Sequence, residues 1–185
     1  MEKLELVFPG EEHKTQVMEY LKETLDNGEG RVAGGRDLHK FDTFEEWLAK
    51  VQNDASEETV EEGRVPSTVY LAIRKSDNKM VGMTQLRHRL IDRLLQQGGH
   101  IGYSVRPRER RKGYAKEILK LMLEKCAELN IGEALLTCDK DNIGSAKTIM
   151  YNGGILKNEI LDENNKIVQR YWIKLRPAKE KVELW

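Results

Sequence analysis

Leu4, Leu6 and Phe8 recur at every second position of residues 3–8 among charged neighbours, the period of a half-buried strand. Pro9-Gly10 then turns the chain. Residues 11–26 carry Val17, Met18, Tyr20, Leu21 and Leu25 at helical spacing. Asn27 to Arg36 holds four glycines and reads as a loop. Asp42 or Thr43 can cap a second helix, with Glu45 and Glu46 in its first turn and Trp47, Leu48 and Val51 on its apolar face. From Thr68 the period changes to that of strands: Thr68–Arg74 and Met80–Arg87 flank the polar turn Ser76-Asp77-Asn78, a hairpin. Leu90–Gln97 predicts a helical turn, and Gly98-Gly99 precedes a strand from His100 to Val105. After Gly113, Ile118, Leu121, Met122, Cys126 and Leu129 mark one face of a helix, which Gly132 ends from the usual C-terminal place. Ala134–Cys138 is a short strand, and Lys140-Asp141-Asn142 opens the last helix. Ile155–Leu161 and Ile167–Leu175 form a second hairpin around Asp-Glu-Asn-Asn-Lys. The order β-α-α-β-β-β-α-β-α-β-β predicts a mixed α/β (α+β) fold, with parallel strands only at the central strand–helix–strand crossover.

Length and charge narrow the classes. At 185 residues the chain reads as one domain over residues 1–175, with a charged tail over 176–185. Lys and Arg number 31 and Asp and Glu also 31, so no global attraction to nucleic acid or an anionic membrane is expected. Cys126 and Cys138 lie twelve apart without a C-x-x-C or a neighbouring His, which predicts core thiols and no metal site. The start Met-Glu-Lys-Leu-Glu-Leu lacks the basic and apolar regions of a signal peptide, and no apolar run approaches a membrane span. A cytoplasmic protein is the expectation.

The basic charge is concentrated in one place. Arg106, Arg108, Arg110, Arg111 and Lys112 fall within seven positions, between the strand ending at Val105 and the helix after Gly113. The first amides of a helix lack intrahelical partners and lie at the positive end of its dipole. Gly113 and Ala115 leave room for an anion to approach the backbone, so this turn is a candidate phosphate site. Neither G-x-x-x-x-G-K-[ST] nor G-x-G-x-x-G is present, which excludes the P-loop and dinucleotide fingerprints.

Arg110-x-x-Gly113-x-Ala115 resembles the [QR]-x-x-G-x-[GA] acyl-CoA signature of the GNAT superfamily of N-acetyltransferases. Asn142-Ile-Gly-Ser145, followed by Asn152-Gly-Gly, is similar to that family's second segment, and the likeness covers about residues 67–175. The resemblance implies a GNAT-like mixed central sheet with helices on both faces. It implies acetyl-CoA as acyl donor, with Tyr103, Ser104 and Val105 along the pantetheine arm and a backbone N–H of that strand at the thioester carbonyl. The pyrophosphate would rest on the amides of Arg110, Arg111, Lys112, Gly113, Tyr114 and Ala115. Asn142 and Ser145 would touch the arm, although an N-cap and first-turn role explains both equally well.

The chain departs from the family at the proton donor. Many members carry a Tyr seven residues after the Asn, where this chain has Ile149. Tyr151 lies two positions further, about 200° round the helix, and is a weak substitute. His100 is a candidate base, since histidine titrates near ~6.5; a structural role, Asp92 and an ordered water are the alternatives. By the same resemblance the acceptor pocket would be built from about residues 22–60 and 160–173. The acidic stretch Glu57–Glu62 is there either to attract a cationic amine or merely to be solvated, and Arg170-Tyr171-Trp172 either to line the pocket or to pack. The reading is a direct transfer of an acetyl group to a primary amine of a small molecule or peptide. A silent acyl-CoA-binding or regulatory module is the rival, and a nucleic-acid-binding domain a third, disfavoured by the zero net charge. A homodimer, if formed, would use the final strand or the tail.

Overall fold

The computed structural model describes residues 2–175; the charged tail over 176–185 lies outside the described residues. Among the described residues, seven strands and five helices follow the predicted order, the helical turn expected at Leu90–Gln97 adding the third helix: β1 (Leu4–Val7), α1 (Lys14–Asp26), α2 (Phe44–Asn53), β2 (Ser67–Arg74), β3 (Lys79–Arg87), α3 (Asp92–Gln96), β4 (Ile101–Val105), α4 (Tyr114–Glu128), β5 (Glu133–Asp139), α5 (Ile143–Tyr151), β6 (Ile155–Leu161) and β7 (Ile167–Lys174). Short 3-10 turns at Glu11–His13, Leu38–Lys40 and Pro107–Glu109 join them. Thr43 takes the N-cap of α2. Its hydroxyl accepts from Glu46 N at 3.2 Å, and the Glu46 carboxylate accepts from Thr43 N at 3.2 Å, a reciprocal capping box.

The strands divide into two antiparallel sheets, ordered β1-β2-β3-β4 and β5-β7-β6. They meet where β4 and β5 begin: His100 N donates to Leu135 O at 2.7 Å, and the Leu135 amide donates back to His100 Nδ1 at 3.0 Å. Gly99 permits that approach. Its φ is +60°, and a Cβ there would stand 2.3 Å from the Leu135 carbonyl oxygen. Beyond this junction the strands have no ladder between them. The central sheet therefore opens into a V, whose arms are Ile101–Tyr103 and Thr137–Asp139.

Two apolar cores hold the arms. One packs α4 and α5 against the sheets through Val81, Leu86, Ile118, Met122, Leu136 and Ile149. The other packs α1 and α2 on the opposite face of the first sheet through Tyr20, Trp47, Val51, Leu71 and Met83. Trp47 is fully enclosed, and its indole N–H donates to Gly35 O at 2.8 Å, which ties the glycine-rich loop to α2.

Three local expectations are corrected. Leu25 and Leu129 are exposed, because each sits in the last turn of its helix or just past it, and Leu119 takes a buried place on α4 instead. The left-handed residue ending α4 is Asn130, at φ 58°, rather than Gly132.

Candidate active site

The turn after β4 is built from the sequence outward. Pro107 starts a 3-10 turn, Arg111 and Gly113 both take left-handed φ (65° and 88°), and α4 begins at Tyr114. Only a glycine adopts such a φ without penalty immediately before a helix. Among the described residues, none of the amides of Arg111, Lys112, Gly113, Tyr114 and Ala115 donates to another group. Five free N–H groups on alternating backbone conformations at the positive end of a fifteen-residue helix make an anion cradle.

The basic run around it is less free than its spelling predicted. Arg106 bonds Glu23 at 2.6 Å, and the Arg108 amide donates to the same carboxylate at 2.8 Å. Arg110 pairs with Glu29 at 2.7 Å and donates to Val105 O at 2.9 Å, so its guanidinium braces the strand end. Lys112 bonds Glu109 at 2.9 Å. Arg108 and Arg111 alone of the five lack a carboxylate partner among the described residues. The expected positive field is therefore largely neutralised locally, and the cradle depends on its amides.

Glu109 was not singled out by sequence, although it is the lone acid within residues 106–112. It is buried under the turn, with Arg74 at 3.0 Å, Lys79 at 2.8 Å and Lys112 at 2.9 Å. Burial alone would raise its pKa, but hydrogen bonds from Lys79 and Lys112 and the Arg74 charge hold it at about 2. Arg74 also donates to the Tyr114 hydroxyl at 3.0 Å, so β2, β3 and the start of α4 share one charged knot. The Tyr114 ring is buried there, leaving its amide for the cradle.

The strand leading to the cradle has one free edge. Arg106 N donates to Val81 O and His100 O accepts from Arg87 N, so even-numbered residues of β4 bond β3. The N–H groups of Ile101, Tyr103 and Val105 and the C=O groups of Ile101 and Tyr103 then face the opening of the V, the Val105 carbonyl being taken by Arg110. Ser104 points to the opposite face, where its hydroxyl accepts from Tyr20 at 2.8 Å and donates to Ala33 O at 2.6 Å. The Tyr103 side chain crosses the V, its hydroxyl 3.0 Å from Ser145 Oγ on α5. Burial pushes that phenol up to about 12, so it stays protonated at neutral pH. Asn142 is the N-cap of α5, its side-chain oxygen accepting from Ser145 N at 3.0 Å. Tyr103, Asn142 and Ser145 all line a cleft of about 580 Å³, together with Cys138 and Asp139 at the end of β5.

The remaining sequence candidates lie elsewhere. His100 is buried at the junction of the sheets, its Nδ1 occupied by the Leu135 amide; burial, then the Arg87 charge, lower its pKa to about 4. It is placed as a strut, neutral near pH 7, and its accepting nitrogen is already used. Tyr151 is 66% exposed at the end of α5, its ring beneath Lys116 at 3.9 Å, on the outside of the V. Asp92 is exposed on α3, and Ile149 is fully buried against α4. Arg170 and Trp172 lie half-buried along β7.

Residues 13–154 match the family model described as an acetyltransferase (GNAT) domain, a span that includes both N-terminal helices as well as the phosphate turn. No curated protein matches the chain in sequence. Among solved structures, the acetyl transferase from Salmonella typhimurium that modifies the N-terminal serine of ribosomal protein L7/L12 superposes with a TM-score of 0.66 at 18% identity, over 94% of this chain and 95% of that one. The microcin C7 self-immunity acetyltransferase MccE, in complex with acetyl-CoA and AMP, gives 0.68 at 12%, over 94% and 93%. Mutant forms of the spermidine/spermine N-acetyltransferase SpeG from Vibrio cholerae give 0.62 at 12%, over 93% and 95%. At these identities the likeness is one of fold. No helix among the described residues is long and apolar enough to cross a membrane.

Proposed function

The chain belongs to the acetyltransferase (GNAT) family, and from that premise we propose that it transfers the acetyl group of acetyl-CoA directly to a primary amine held in the V. The observation that carries this reading is the row of five amides at Arg111–Ala115 without a partner among the described residues, continuous with the outward edge of β4. The solved relative MccE is described in complex with acetyl-CoA. The residues here fit such a molecule: donors for a diphosphate at one end, and an extended backbone edge to accept a pantetheine arm as an added strand.

Acetyl-CoA supplies an electrophilic acyl carbon and a thiolate leaving group. The cradle amides hold the diphosphate, and Arg108 and Arg111 screen its charge. The outward N–H groups of Tyr103 and Val105 bind the arm and donate to the carbonyl oxygen as it gains charge. Asn142 fixes the start of α5, and with it Ser145. The acceptor must arrive as a free amine, because an ammonium has no lone pair. Asp139, at the mouth of the cleft, takes the proton that the amine nitrogen loses as the amide forms. As the amine nitrogen bonds to carbon and the carbon–sulfur bond breaks, the Tyr103 hydroxyl protonates the departing thiolate and is reloaded from solvent through Ser145. Its raised pKa keeps the phenol protonated at neutral pH, so the donor is loaded before the reaction begins. This assigns the acid to β4 rather than to the α5 position that Ile149 fills.

The test is release of CoA thiol with purified protein, acetyl-CoA and a panel of amines. Amine-dependent release that falls in Tyr103→Phe supports direct transfer with Tyr103 as acid. Tight acetyl-CoA binding without turnover on any amine would replace the enzyme with an acyl-CoA-binding module, the reading that buried Ile149 favours.

A further inference from the structure

The acceptor half of the cleft carries a charge pattern that bears on what the acceptor is, given the reading above that the amine enters there. Arg31, Arg36, Arg64, Arg87 and Arg93 line one side of it. Two of these are neutralised: Arg36 bonds the buried Asp54 at 2.6 Å, and Arg64 bonds Glu61 at 2.9 Å. Arg31, Arg87 and Arg93 have no carboxylate partner among the described residues.

Arg87 is the informative one. It ends β3, half-buried, and its Nη1 donates to the carbonyls of Gly98 at 3.2 Å and Gly99 at 3.1 Å, while Nη2 donates to Gln85 Oε1 at 3.3 Å. Those three bonds leave two of the five guanidinium N–H donors, on Nε and Nη2, without an acceptor among the described residues. All three acceptors are neutral, so they orient the group without cancelling its charge. Burial first, then repulsion from Arg36 and Arg93, lower its pKa to about 10, against a smaller opposing pull from Asp37. A planar, pre-oriented guanidinium with free N–H groups is the usual receptor for a carboxylate or phosphate. Asp37 also lines the cleft on the arginine side, 4.0 Å from Arg36 and 3.6 Å from Lys40, and Asp139, Asp162 and Glu163 line it from the second sheet. The arginines are also distinct from the diphosphate cradle, since none of residues 106–115 lines this cleft.

We propose that the acceptor is an anionic amine, whose carboxylate or phosphate is received by Arg87 flanked by Arg31 and Arg93 while its amino group faces Asp139 across the cleft. A polycationic acceptor would meet three arginines that have no direct carboxylate partner among the described residues.

The test observes Arg87 directly. Its Nε–H resonance is identified by NMR from its disappearance in Arg87→Lys. Inorganic phosphate and acetate are then titrated separately, with acetyl-CoA saturating so that the cradle is filled. A saturable displacement of that resonance is expected, weakened about tenfold in Arg93→Gln, which lies on an exposed helix and leaves the Gly98 and Gly99 contacts intact. A response to phosphate alone assigns a phosphorylated amine, and a response to acetate alone a carboxylated one. No displacement by either anion, in protein whose melting temperature acetyl-CoA still raises, would overturn the anionic acceptor and leave the acetyltransferase standing. No rise with acetyl-CoA would overturn the reading beneath it.

Discussion

Replacing Glu109 with Gln tests whether the phosphate turn is held from below by a buried charge. The side chain is 4% exposed and meets Arg74, Lys79 and Lys112 within 3.0 Å. A carboxyl held at about 2 rather than at its ordinary 4.5 is worth about 3 kcal/mol at 1.36 kcal/mol per pH unit. Lys79 and Lys112 are 40% and 51% exposed, and solvent screening at their ammonium groups reduces that to about 2–3 kcal/mol. For a chain of this length the melting temperature should fall by about 5–10 °C at pH 7. The folded-state pKa lies below the unfolded one, so the contribution is complete above about pH 4.5 and disappears as the pH falls toward 2. Urea unfolding of wild type and Glu109→Gln at pH 7, 4 and 3 should therefore show a gap that closes with acid. His100, whose pKa is lowered to about 4, also destabilises the fold between about pH 6.5 and 4, but it is common to both proteins and cancels in the difference. A gap below about 0.5 kcal/mol at pH 7, or one that persists unchanged at pH 3, would refute the argument.

Thr43→Ala removes the capping box of α2 and should cost about 1 kcal/mol in urea unfolding, with acetyl-CoA binding untouched. Gly99→Ala places a Cβ 2.3 Å from Leu135 O at a left-handed φ; strain and the lost β4–β5 junction should cost about 3 kcal/mol, seen as a lower urea midpoint. Tyr103→Phe should lower kcat about 100-fold while leaving KM for acetyl-CoA unchanged, since the phenol is a proton donor and the arm is held by backbone. Equal losses in both parameters would point to a binding role for the hydroxyl.

Most of the element order is legible in the sequence because its signals are local. Alternation marks β1, the Ser76–Asn78 turn marks the β2–β3 hairpin, and Thr43 with Glu46 marks the start of α2. The cradle is legible in part for the same reason: the free amides of Tyr114 and Ala115 follow from the start of a helix, while those of Arg111 and Lys112 depend on the left-handed turn before it. What escapes depends on contacts between distant segments. Arg106 and Arg110 read as free charges until α1 and the glycine-rich loop bring Glu23 and Glu29 against them. Glu109 looks like one more solvated acid until β2 and β3 surround it with cations. His100 has the composition of a base, and only the close approach that Gly99 permits turns its ring into a bridge to Leu135. Arg87 gives no local sign at all, being simply the last residue of a strand.

Hydrogen exchange of the backbone amides of Arg111–Ala115, with and without acetyl-CoA, is the decisive measurement, because these five donors have no acceptor among the described residues. Fast exchange is expected in the free protein, and strong protection of these amides, with those of Tyr103 and Val105, once acetyl-CoA is bound. Binding that protects another surface while Arg111–Ala115 continue to exchange freely would contradict a cradle at this turn.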